Sequence, residues 1–276
     1  MPLCRWPHPV QFRAGLLSSN AMPAVDALLP ESPLPGLVPT LNNTGWMTET
    51  LDRYSQAFVE HAARIDGLSL DIGCAYGVAT LPALAAGARV LACDIDPRHL
   101  EILARRVPAA DRPRFRSQPG AMPDVDFPAG SFGAILCARA LHFLRGPDIG
   151  QTVRKMHEWC VPGAQIFLIA DTPFIGPWWK LAPEYERRKR EGCPWPGFVP
   201  DYPALLPEGV DPVGQPAFIH PLDPDILHRV VRDAGFEVLE TAYLDAGPPR
   251  CTPRSHAGII ARKPLVDPPA REGMGR

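Results

Sequence analysis

Two acidic residues and two glycines follow apolar runs in the segment from 68 to 96, LSLDIGCAYGVATLPALAAGARVLACDID. Asp71, Gly73 and Gly77 come after the first apolar run, and Asp94 comes after the second. Glycine lets the backbone turn and approach a ligand without a Cβ clash. A carboxylate about twenty residues beyond the first glycine, at the end of a second strand, can accept both hydroxyls of an adenosine ribose. The spacing therefore predicts a site for a nucleoside-containing cofactor.

Apolar periodicity predicts the elements that position these residues. Continuous apolar runs separated by amphipathic helices indicate a parallel sheet covered on both faces. Asp71 and Asp94 then end neighbouring strands, at the edge of the sheet where ligands bind. The predicted strands are 68–72, 88–93, 114–117, 132–137 and 165–171, followed by one after the AGF of AGFEVLETAYL and one in HAGIIARKP. The predicted helices are one capped by Thr48, then 79–86, 98–106 and 150–160, and a last one in LDPDILHRVVRD.

Changes in composition predict the domain limits. Residues 1–45 are Pro-rich and poorly periodic, as expected of a poorly ordered leader or of a start placed too early, with Met22 as the true start. The main domain spans 46–265, and its rhythm is broken by a Pro- and Trp-rich insertion at 172–221. The tail 266–276 is predicted to be disordered.

Charge and cysteine usage exclude several partners and compartments. The 276 residues carry a formal charge of −2, which gives no strong field for nucleic acid or anionic membranes. No apolar stretch reaches membrane-spanning length. The seven cysteines form no CxxC pair, which favours reduced thiols and a cytoplasmic location. We expect neither a nucleic-acid nor a membrane partner, and the oligomeric state is left open.

A dinucleotide-binding loop would place glycine at 73, 75 and 78, whereas the chain has Gly73, Ala75 and Val78. The spacing in DIGCAYG instead resembles motif I, D/E-x-G-x-G-x-G, of the class I S-adenosylmethionine-dependent methyltransferases, with Ala75 at the middle glycine. Four more stretches are similar to later motifs of that family in the family's order: VLACDID, FPAGSFGAILCARALHFL, VRKMHEWCVPGAQIFLIAD and LDPDILHRVVRDAGFEVLE. Together the motifs cover roughly 47–171 and 222–263.

The resemblance implies an α/β, Rossmann-like fold with seven mostly parallel strands, a last antiparallel pair and a cap insertion after the fifth strand. It also implies S-adenosylmethionine as the cofactor, with Asp94 on the ribose and Ile95 against the adenine. The acid that often binds the adenine amino group is replaced by Ala121, so nearby backbone or Asp124 would take its place. The predicted cofactor-binding residues are Asp71, Gly73, Cys74, Ala75, Gly77, Asp94, Ile95, Ala121, Met122 and Ala138.

Methyl transfer from a sulfonium depends mainly on aligning the attacking atom with the methyl group, rather than on a set of catalytic side chains. The sequence shows no such set. His142, just past the predicted fourth strand, is the candidate base, and the alternative is a packed or hydrogen-bonded histidine in the following helix. No His/Cys/carboxylate spacing suggests a metal, so none is expected. The predicted acceptor-binding residues are Tyr54, which could instead face the core, and Trp178, Trp179, Trp195 and His220 from the cap-like insertion.

Three functions remain open at this point. The leading hypothesis is methylation of a small organic acceptor, with oxygen as the attacking atom. The second is methylation of a protein or RNA, although CARA after the predicted fourth strand lacks the Asn/Asp-Pro-Pro-aromatic motif of amino-methylating nucleic-acid enzymes. The third is a cofactor-binding protein without turnover.

Overall fold

The computed structural model describes residues 29–32, 34–206, 215–244 and 252–265. Its strands are β1 Leu37–Pro39, β2 Trp46–Thr48, β3 Leu68–Ile72, β4 Arg89–Asp94, β5 Phe115–Pro119, β6 Phe132–Ala138, β7 Cys160–Asp171, β8 Glu237–Leu244 and β9 His256–Arg262. Its α-helices are α1 Arg53–Ala62, α2 Thr80–Ala85, α3 Pro97–Arg106, α4 Gly146–Trp159, α5 Ala182–Arg190 and α6 Pro224–Asp233. Within these ranges, every helix is too short or too polar to cross a bilayer.

Seven strands form one sheet in the order β5-β4-β3-β6-β7-β9-β8. Strands β3 to β7 pair in parallel, and β9 pairs antiparallel with both β7 and β8. The strand order reverses between β4 and β6, on either side of β3, which is the switch point where ligands bind in such sheets. This topology confirms the predicted Rossmann-like, mostly parallel sheet with a final antiparallel pair.

The apolar runs of the central strands fill two cores, one on each face of the sheet. On β6, Ala134 and Leu136 belong to the core under α1, α2 and α3, whereas Ile135 and Cys137 belong to the core under α4 and α6. Successive side chains on a strand point to opposite faces, so a strand covered on both sides must be apolar throughout. This requirement explains why β6 is uninterrupted FGAILCA.

Helix α1 begins later than predicted. The helix starts at Arg53, and Asp52 caps it by accepting from the amides of Tyr54 and Ser55, each at 2.9 Å. The predicted cap Thr48 lies in β2 instead. A carboxylate at the N-cap accepts from the free amides of the first turn as well as a threonine does, so Asp52 displaces Thr48 in this role.

The described end of the predicted leader forms a hairpin, which we call the arm hairpin (residues 37–48). Strands β1 and β2 pair with Leu37 opposite Thr48. The hydroxyl of Tyr76 donates to the carbonyl of Pro39 at 2.9 Å, and the guanidinium of Arg98 donates to the carbonyl of Leu41 at 3.0 Å. Residues 37–45 are therefore fastened to the sheet domain, whereas residues 1–28 lie outside the described part of the chain.

In its described residues, 172–206 and 215–221, the insertion carries one α-helix, α5, which lies between two 3₁₀ turns. A bridge between Val199 and Ile219 closes it on itself. Within the charged run ERRKR of α5, Lys189 contacts the buried carboxylate of Asp223 and lies 2.6 Å from that of Asp225. This charge contact joins the insertion to the start of α6. The gap at 207–214 and the predicted tail lie outside the described residues, so the predicted domain limits remain predictions.

Gly258 in β9 allows α1 to approach the sheet. A Cβ added at Gly258 would lie 2.2 Å from Cδ2 of the buried Tyr54 ring. We predict that Gly258→Ala lowers the free energy of unfolding by about 1–3 kcal/mol, the usual effect of overpacking. Chemical denaturation measures this change, with Gly176→Ala as the control at a glycine where an added Cβ meets nothing within 4 Å and the backbone is not left-handed. Equal stability of Gly258→Ala and the wild type would contradict the packing.

Candidate active site

In the loop after β3, which we call the glycine loop (residues 73–77), every second residue has a left-handed backbone conformation. Gly73, Ala75 and Gly77 have φ of +77°, +44° and +85°. This conformation costs an L-residue about 1–2 kcal/mol, so glycine suits the outer two positions and Ala75 carries the strain. The amides of Gly73 and Cys74 donate to the carbonyl of Cys93 at 2.8 and 3.1 Å. The loop is thereby held against the end of β4.

The carboxylate of Asp94 ends β4 and is already hydrogen-bonded within the protein. Its Oδ2 accepts from the amide of Ala75 at 2.8 Å, and its Oδ1 accepts from the amide of Asp96 at 2.9 Å. Nδ1 of His99 lies 2.9 Å from the same Oδ1, while Nε2 of His99 accepts from the amide of Leu41 at 3.0 Å. His99 therefore carries its proton on Nδ1 and links the arm hairpin to Asp94. Since a carboxylate offers about four acceptor positions, Oδ2 retains capacity for a ligand hydroxyl.

Asp71 lies beneath the glycine loop, where the hydroxyl of Thr80 donates to its Oδ2 at 2.6 Å. Burial raises the pKa of Asp71 to about 6; the Thr80 hydrogen bond opposes this and the nearby Asp94 adds to it. An acid with such a pKa is partly protonated near neutral pH, and a cation bound in the cavity would favour its charged form. Asp71 is therefore suited to a positively charged ligand.

One cavity of about 570 Å³ joins the glycine loop to the insertion. Of the predicted cofactor-binding residues, those lining it are Asp71, Gly73, Cys74, Ala75, Asp94, Ile95 and Ala138. Ile95 is 63% exposed although it is large and apolar, which leaves a flat apolar surface facing the cavity. The predicted base His142 and, of the predicted acceptor residues, Trp178 also line it. The structure thus brings most of the predicted cofactor site, but only part of the predicted acceptor site, to one space.

The arm hairpin forms the roof of this cavity, a feature that the sequence analysis missed. Residues from Leu37 to Thr48 line it, including the turn Asn42–Gly45. Asn43 has φ of +58°. The segment LNNTG could have indicated a turn here, because Asn and Gly tolerate left-handed backbone conformations. The two strands on either side of that turn have only three residues each, too few for an apolar pattern to predict them.

Three titratable side chains meet at the insertion end of the cavity: His142, Asp171 and His256. The amide of Asp171 donates to Nδ1 of His142 at 3.3 Å, and Nδ1 of His256 lies 2.9 Å from Oδ1 of Asp171. Burial lowers the pKa of His142, so this histidine is neutral at pH 7. Burial raises the pKa of Asp171, but His142 and His256 outweigh it and hold this carboxyl well below its usual range. The cluster therefore contains an ionised carboxylate.

Arg139 also lines the cavity, and no motif or spacing in the sequence analysis singled it out. The residue follows β6 with φ of +56°, and its guanidinium lies 2.9 Å from Oδ2 of Asp52. Because Asp52 caps α1, the ion pair ties the start of that helix to the end of β6. The charge of Arg139 is therefore balanced within the protein.

Several predicted residues lie away from the cavity wall. Tyr54 packs into the core between α1 and β9, which is the core-facing alternative. Gly77 faces Leu103 of α3, where a Cβ would lie 2.3 Å from Cδ1. Met122 packs into the core under α4 and α6, and the carbonyl of Ala121 accepts from the amide of Val125 at 2.7 Å. The adenine-binding role of Ala121 and Met122 stays a prediction.

Three predicted insertion residues are also placed elsewhere. Trp179 is 62% exposed. Trp195 covers Gly146 at the start of α4, where an added Cβ would lie 2.4 Å from the indole. His220 is buried with Nδ1 3.1 Å from the carbonyl of Leu144. Trp195 and His220 therefore fasten the insertion to the sheet domain. Their positions in the sequence alone could not distinguish this packing role from acceptor binding. In the described part of the chain, no three His, Cys, Asp or Glu side chains are grouped to hold a metal.

Comparison with known proteins agrees with this geometry. A family profile described as a methyltransferase domain matches residues 70–163, which include the glycine loop and Asp94. This match and the fold support a class I S-adenosylmethionine-dependent methyltransferase domain in this part of the chain. They also support S-adenosylmethionine as the cofactor of that domain.

Individual relatives are distant. The chain is 28% identical over 143 residues to magnesium-protoporphyrin O-methyltransferase of Rhodobacter capsulatus, and this match spans 51% of the chain and 58% of that protein. An S-adenosylmethionine-dependent methyltransferase of Methanosarcina mazei superposes with a TM-score of 0.56 at 20% identity, covering 79% of this chain and all of that one. The 1,6-didemethyltoxoflavin-N1-methyltransferase of Burkholderia thailandensis, bound to its acceptor and S-adenosylhomocysteine, superposes at 0.52 with 17% identity, covering 76% of each chain. These structural likenesses show the fold.

Restoring glycine in the middle of the glycine loop tests its backbone strain. Ala75→Gly removes a left-handed penalty of about 1–2 kcal/mol and adds the roughly 0.5–1 kcal/mol by which glycine destabilises ordered backbone. We expect the free energy of unfolding to rise by up to about 1 kcal/mol, measured by chemical denaturation. Ala79→Gly, at φ of −97°, is the matched control and should destabilise the protein. The strain is absent if both variants lose stability equally.

Proposed function

We propose that this protein transfers the methyl group of S-adenosylmethionine to a small organic acceptor, with oxygen as the attacking atom. The observation that carries the proposal is the single cavity that joins Asp94 and Ile95 at one end to His142 and Trp178 at the other. Such a cavity lets a cofactor and an acceptor meet under one roof, which is what a direct transfer requires.

At the first end, the residues present fit the cofactor. Oδ2 of Asp94 can accept from a ribose hydroxyl, and the exposed Ile95 side chain offers an apolar face to a purine ring. The glycine loop lets the backbone come close to the remainder of the molecule, where Asp71 can face a positive charge. When bound, S-adenosylmethionine supplies a methyl group activated on a sulfonium. The protein then has to hold the acceptor in line with that group and exclude water.

The other end fits a small acceptor better than a polymer. The arm hairpin roofs the space, and the walls there include the rings of Phe143, Trp178 and Tyr202. Among the described residues that line the cavity, Arg139 is the one lysine or arginine, and its charge is paired with that of Asp52. An RNA or an acidic protein segment would need unpaired cations along its path. A flat, apolar acceptor fits these walls.

Oxygen as the attacking atom is supported by the name of the Rhodobacter relative, which is an O-methyltransferase. We also place the reaction in the cytoplasm. Cys74, Cys93, Cys137 and Cys160 are buried free thiols among the described residues. Unpaired cysteines in this number are typical of a reducing compartment.

Cofactor binding is tested by calorimetry with S-adenosylmethionine, and transfer by incubation with methyl-labelled cofactor and a cell extract whose labelled products are identified by mass spectrometry. A labelled small molecule is the expected product. Label found only in protein or RNA would contradict the acceptor class. Tight cofactor binding without any labelled product would instead support a protein that has lost turnover.

Asp94→Asn keeps the side-chain shape but exchanges one acceptor oxygen for a donor. We expect cofactor affinity to fall by about 1–3 kcal/mol, the scale for a hydrogen bond to a charged group, because the ribose loses its anionic partner. Calorimetry measures the affinity, and Asp233→Asn, at an exposed acid ending α6, is the matched control. Unchanged affinity in a folded Asp94→Asn protein would remove the ribose role.

Variants of two adjacent tryptophans, one in the cavity wall and one on the surface, test whether the cavity wall binds the acceptor. Trp178 lines the cavity and is 8% exposed, whereas Trp179 is 62% exposed and lies off its wall. We expect Trp178→Ala to reduce labelled product by about tenfold or more through misplacement of the acceptor, with cofactor affinity changed by less than about 1 kcal/mol. Trp179→Ala should leave both measurements unchanged. Loss of cofactor affinity in Trp178→Ala would mean that this wall does not belong to the acceptor.

A further inference from the structure

His99 connects the two parts of the chain that enclose the cofactor end of the cavity. The residue lies in the first turn of α3, is 1% exposed and lines the cavity. Its Nδ1 lies 2.9 Å from Oδ1 of Asp94, and its Nε2 accepts from the amide of Leu41 at 3.0 Å. One ring nitrogen therefore contacts the carboxylate proposed to bind the ribose, and the other holds the arm hairpin.

The contact with Leu41 decides how the ring faces Asp94. A backbone amide only donates, so Nε2 of His99 must hold a lone pair and the ring proton sits on Nδ1. Nδ1 then donates to Oδ1 of Asp94. The tautomer that accepts from Leu41 is thus the same one that donates to Asp94. Hydrogen bonds joined through one ring in this way strengthen each other.

Oδ1 of Asp94 accepts from two groups, and this directs the second oxygen of the carboxylate. The amide of Asp96 also donates to Oδ1 at 2.9 Å, whereas the amide of Ala75 donates to Oδ2 at 2.8 Å. Rotation of the carboxylate would leave these buried donors without an acceptor, which is unfavourable. His99 therefore helps to keep Oδ2 turned toward a ligand hydroxyl.

The same ring holds the arm hairpin where its turn begins. Next to Leu41, the amide of Thr40 donates to the carbonyl of Gly45 at 3.0 Å and closes the turn. Gly45 lies against the ring of Phe143, where an added Cβ would be 3.2 Å from Cζ. Phe143 is one of the walls at the end proposed for the acceptor. A segment fastened at His99 therefore reaches from the cofactor end of the cavity to the acceptor end.

We propose that His99 is a positioning residue that couples the carboxylate of Asp94 to the arm hairpin, so that cofactor binding and the roof stabilise each other. The inference rests on the proposed function, because it takes Asp94 as the group that binds the ribose. A hydroxyl on Oδ2 fixes the carboxylate, the carboxylate orients the ring of His99, and the ring holds the amide of Leu41. Coupling between two sites is reciprocal, so the hairpin raises cofactor affinity by the factor by which the cofactor stabilises the hairpin.

Two substitutions separate the two contacts of the ring. The side-chain amide of asparagine lies at the position of Nδ1, so His99→Asn keeps a donor for Asp94 and loses the acceptor for Leu41. The amide of glutamine reaches the position of Nε2, so His99→Gln keeps an acceptor for Leu41 and loses the donor for Asp94. Each variant breaks the connection at one end and retains the hydrogen bond at the other.

The experiment measures both ends of the connection with S-adenosylmethionine and the full chain. Calorimetry gives the cofactor affinity, and hydrogen exchange followed by nuclear magnetic resonance gives the local opening of the hairpin at the amide of Leu41. In the wild type, we expect saturating cofactor to slow exchange of this amide by about 5–150-fold, the usual range for coupled sites.

The crossed results distinguish coupling from two separate structural contacts. We expect His99→Asn to lower cofactor affinity by about 5–150-fold although Asp94 keeps its donor. We expect the cofactor to slow exchange at Leu41 by less than about twofold in His99→Gln, although the amide keeps its acceptor, because the link to Asp94 is broken. A residue with only a local structural role would affect only the end whose hydrogen bond is removed.

Tyr76→Phe is the matched control at the other side of the hairpin. It removes the hydroxyl that donates to the carbonyl of Pro39 but keeps the ring that packs against His99, with centroids 5.0 Å apart. The hairpin should exchange faster in this variant with and without cofactor. The factor by which the cofactor slows exchange at Leu41 should stay as in the wild type, because the link through His99 is intact.

Unchanged affinity in a folded His99→Asn protein, or wild-type slowing in His99→Gln, would overturn the proposal. Binding of S-adenosylmethionine to the wild type without slower exchange at Leu41 would overturn it without any variant, so the test does not depend on the variants folding. That result would leave the proposed function standing. A wild type that does not bind S-adenosylmethionine would instead defeat the proposed function and this inference with it.

Discussion

The carboxylate of Asp94 is the point on which the site depends. It is almost fully buried, and such a charge is stable only when hydrogen-bond donors surround it. The chain supplies those donors from the glycine loop through the amide of Ala75, from the N-cap of α3 through the amide of Asp96, and from α3 through Nδ1 of His99. The arm hairpin joins this network because the amide of Leu41 donates to Nε2 of His99. One buried charge thereby sets the loop's path, the start of a helix and the position of the roof. A cofactor bound there would meet a surface that is already in place, so little of its binding energy would go into ordering the protein.

The parts predicted from sequence are those fixed by local pattern. The apolar runs of β3, β4, β6 and β7 follow from burial on both sheet faces, and the motif order then identified the strand topology. Gly73 and Asp94 were found because their positions relative to strand ends are short-range properties. Helix limits shifted by a few residues where an alternative cap existed, as at Asp52.

The parts that sequence could not supply depend on contacts between distant segments. His256 meets Asp171 only because β9 returns antiparallel to β7, and no local pattern encodes that register. Tyr54, Trp178, Trp179 and Trp195 are all aromatic residues at plausible positions, yet one faces β9, one the cavity, one solvent and one α4. Side-chain type predicts that such residues pack, but the neighbour is decided by tertiary structure.

The segment matched by the family profile ends at residue 163, whereas the arm hairpin, Trp178 and His256 all lie outside it. Under the proposed function, the segments that would receive the acceptor therefore lie mostly outside the segment that would hold the methyl donor. Substitutions at Trp178 and in the rest of the insertion can alter the proposed acceptor pocket while the Asp94 network and the central strands stay as they are. A single sheet of this kind is therefore compatible with different acceptors, because a fold does not by itself fix the molecule that is recognised.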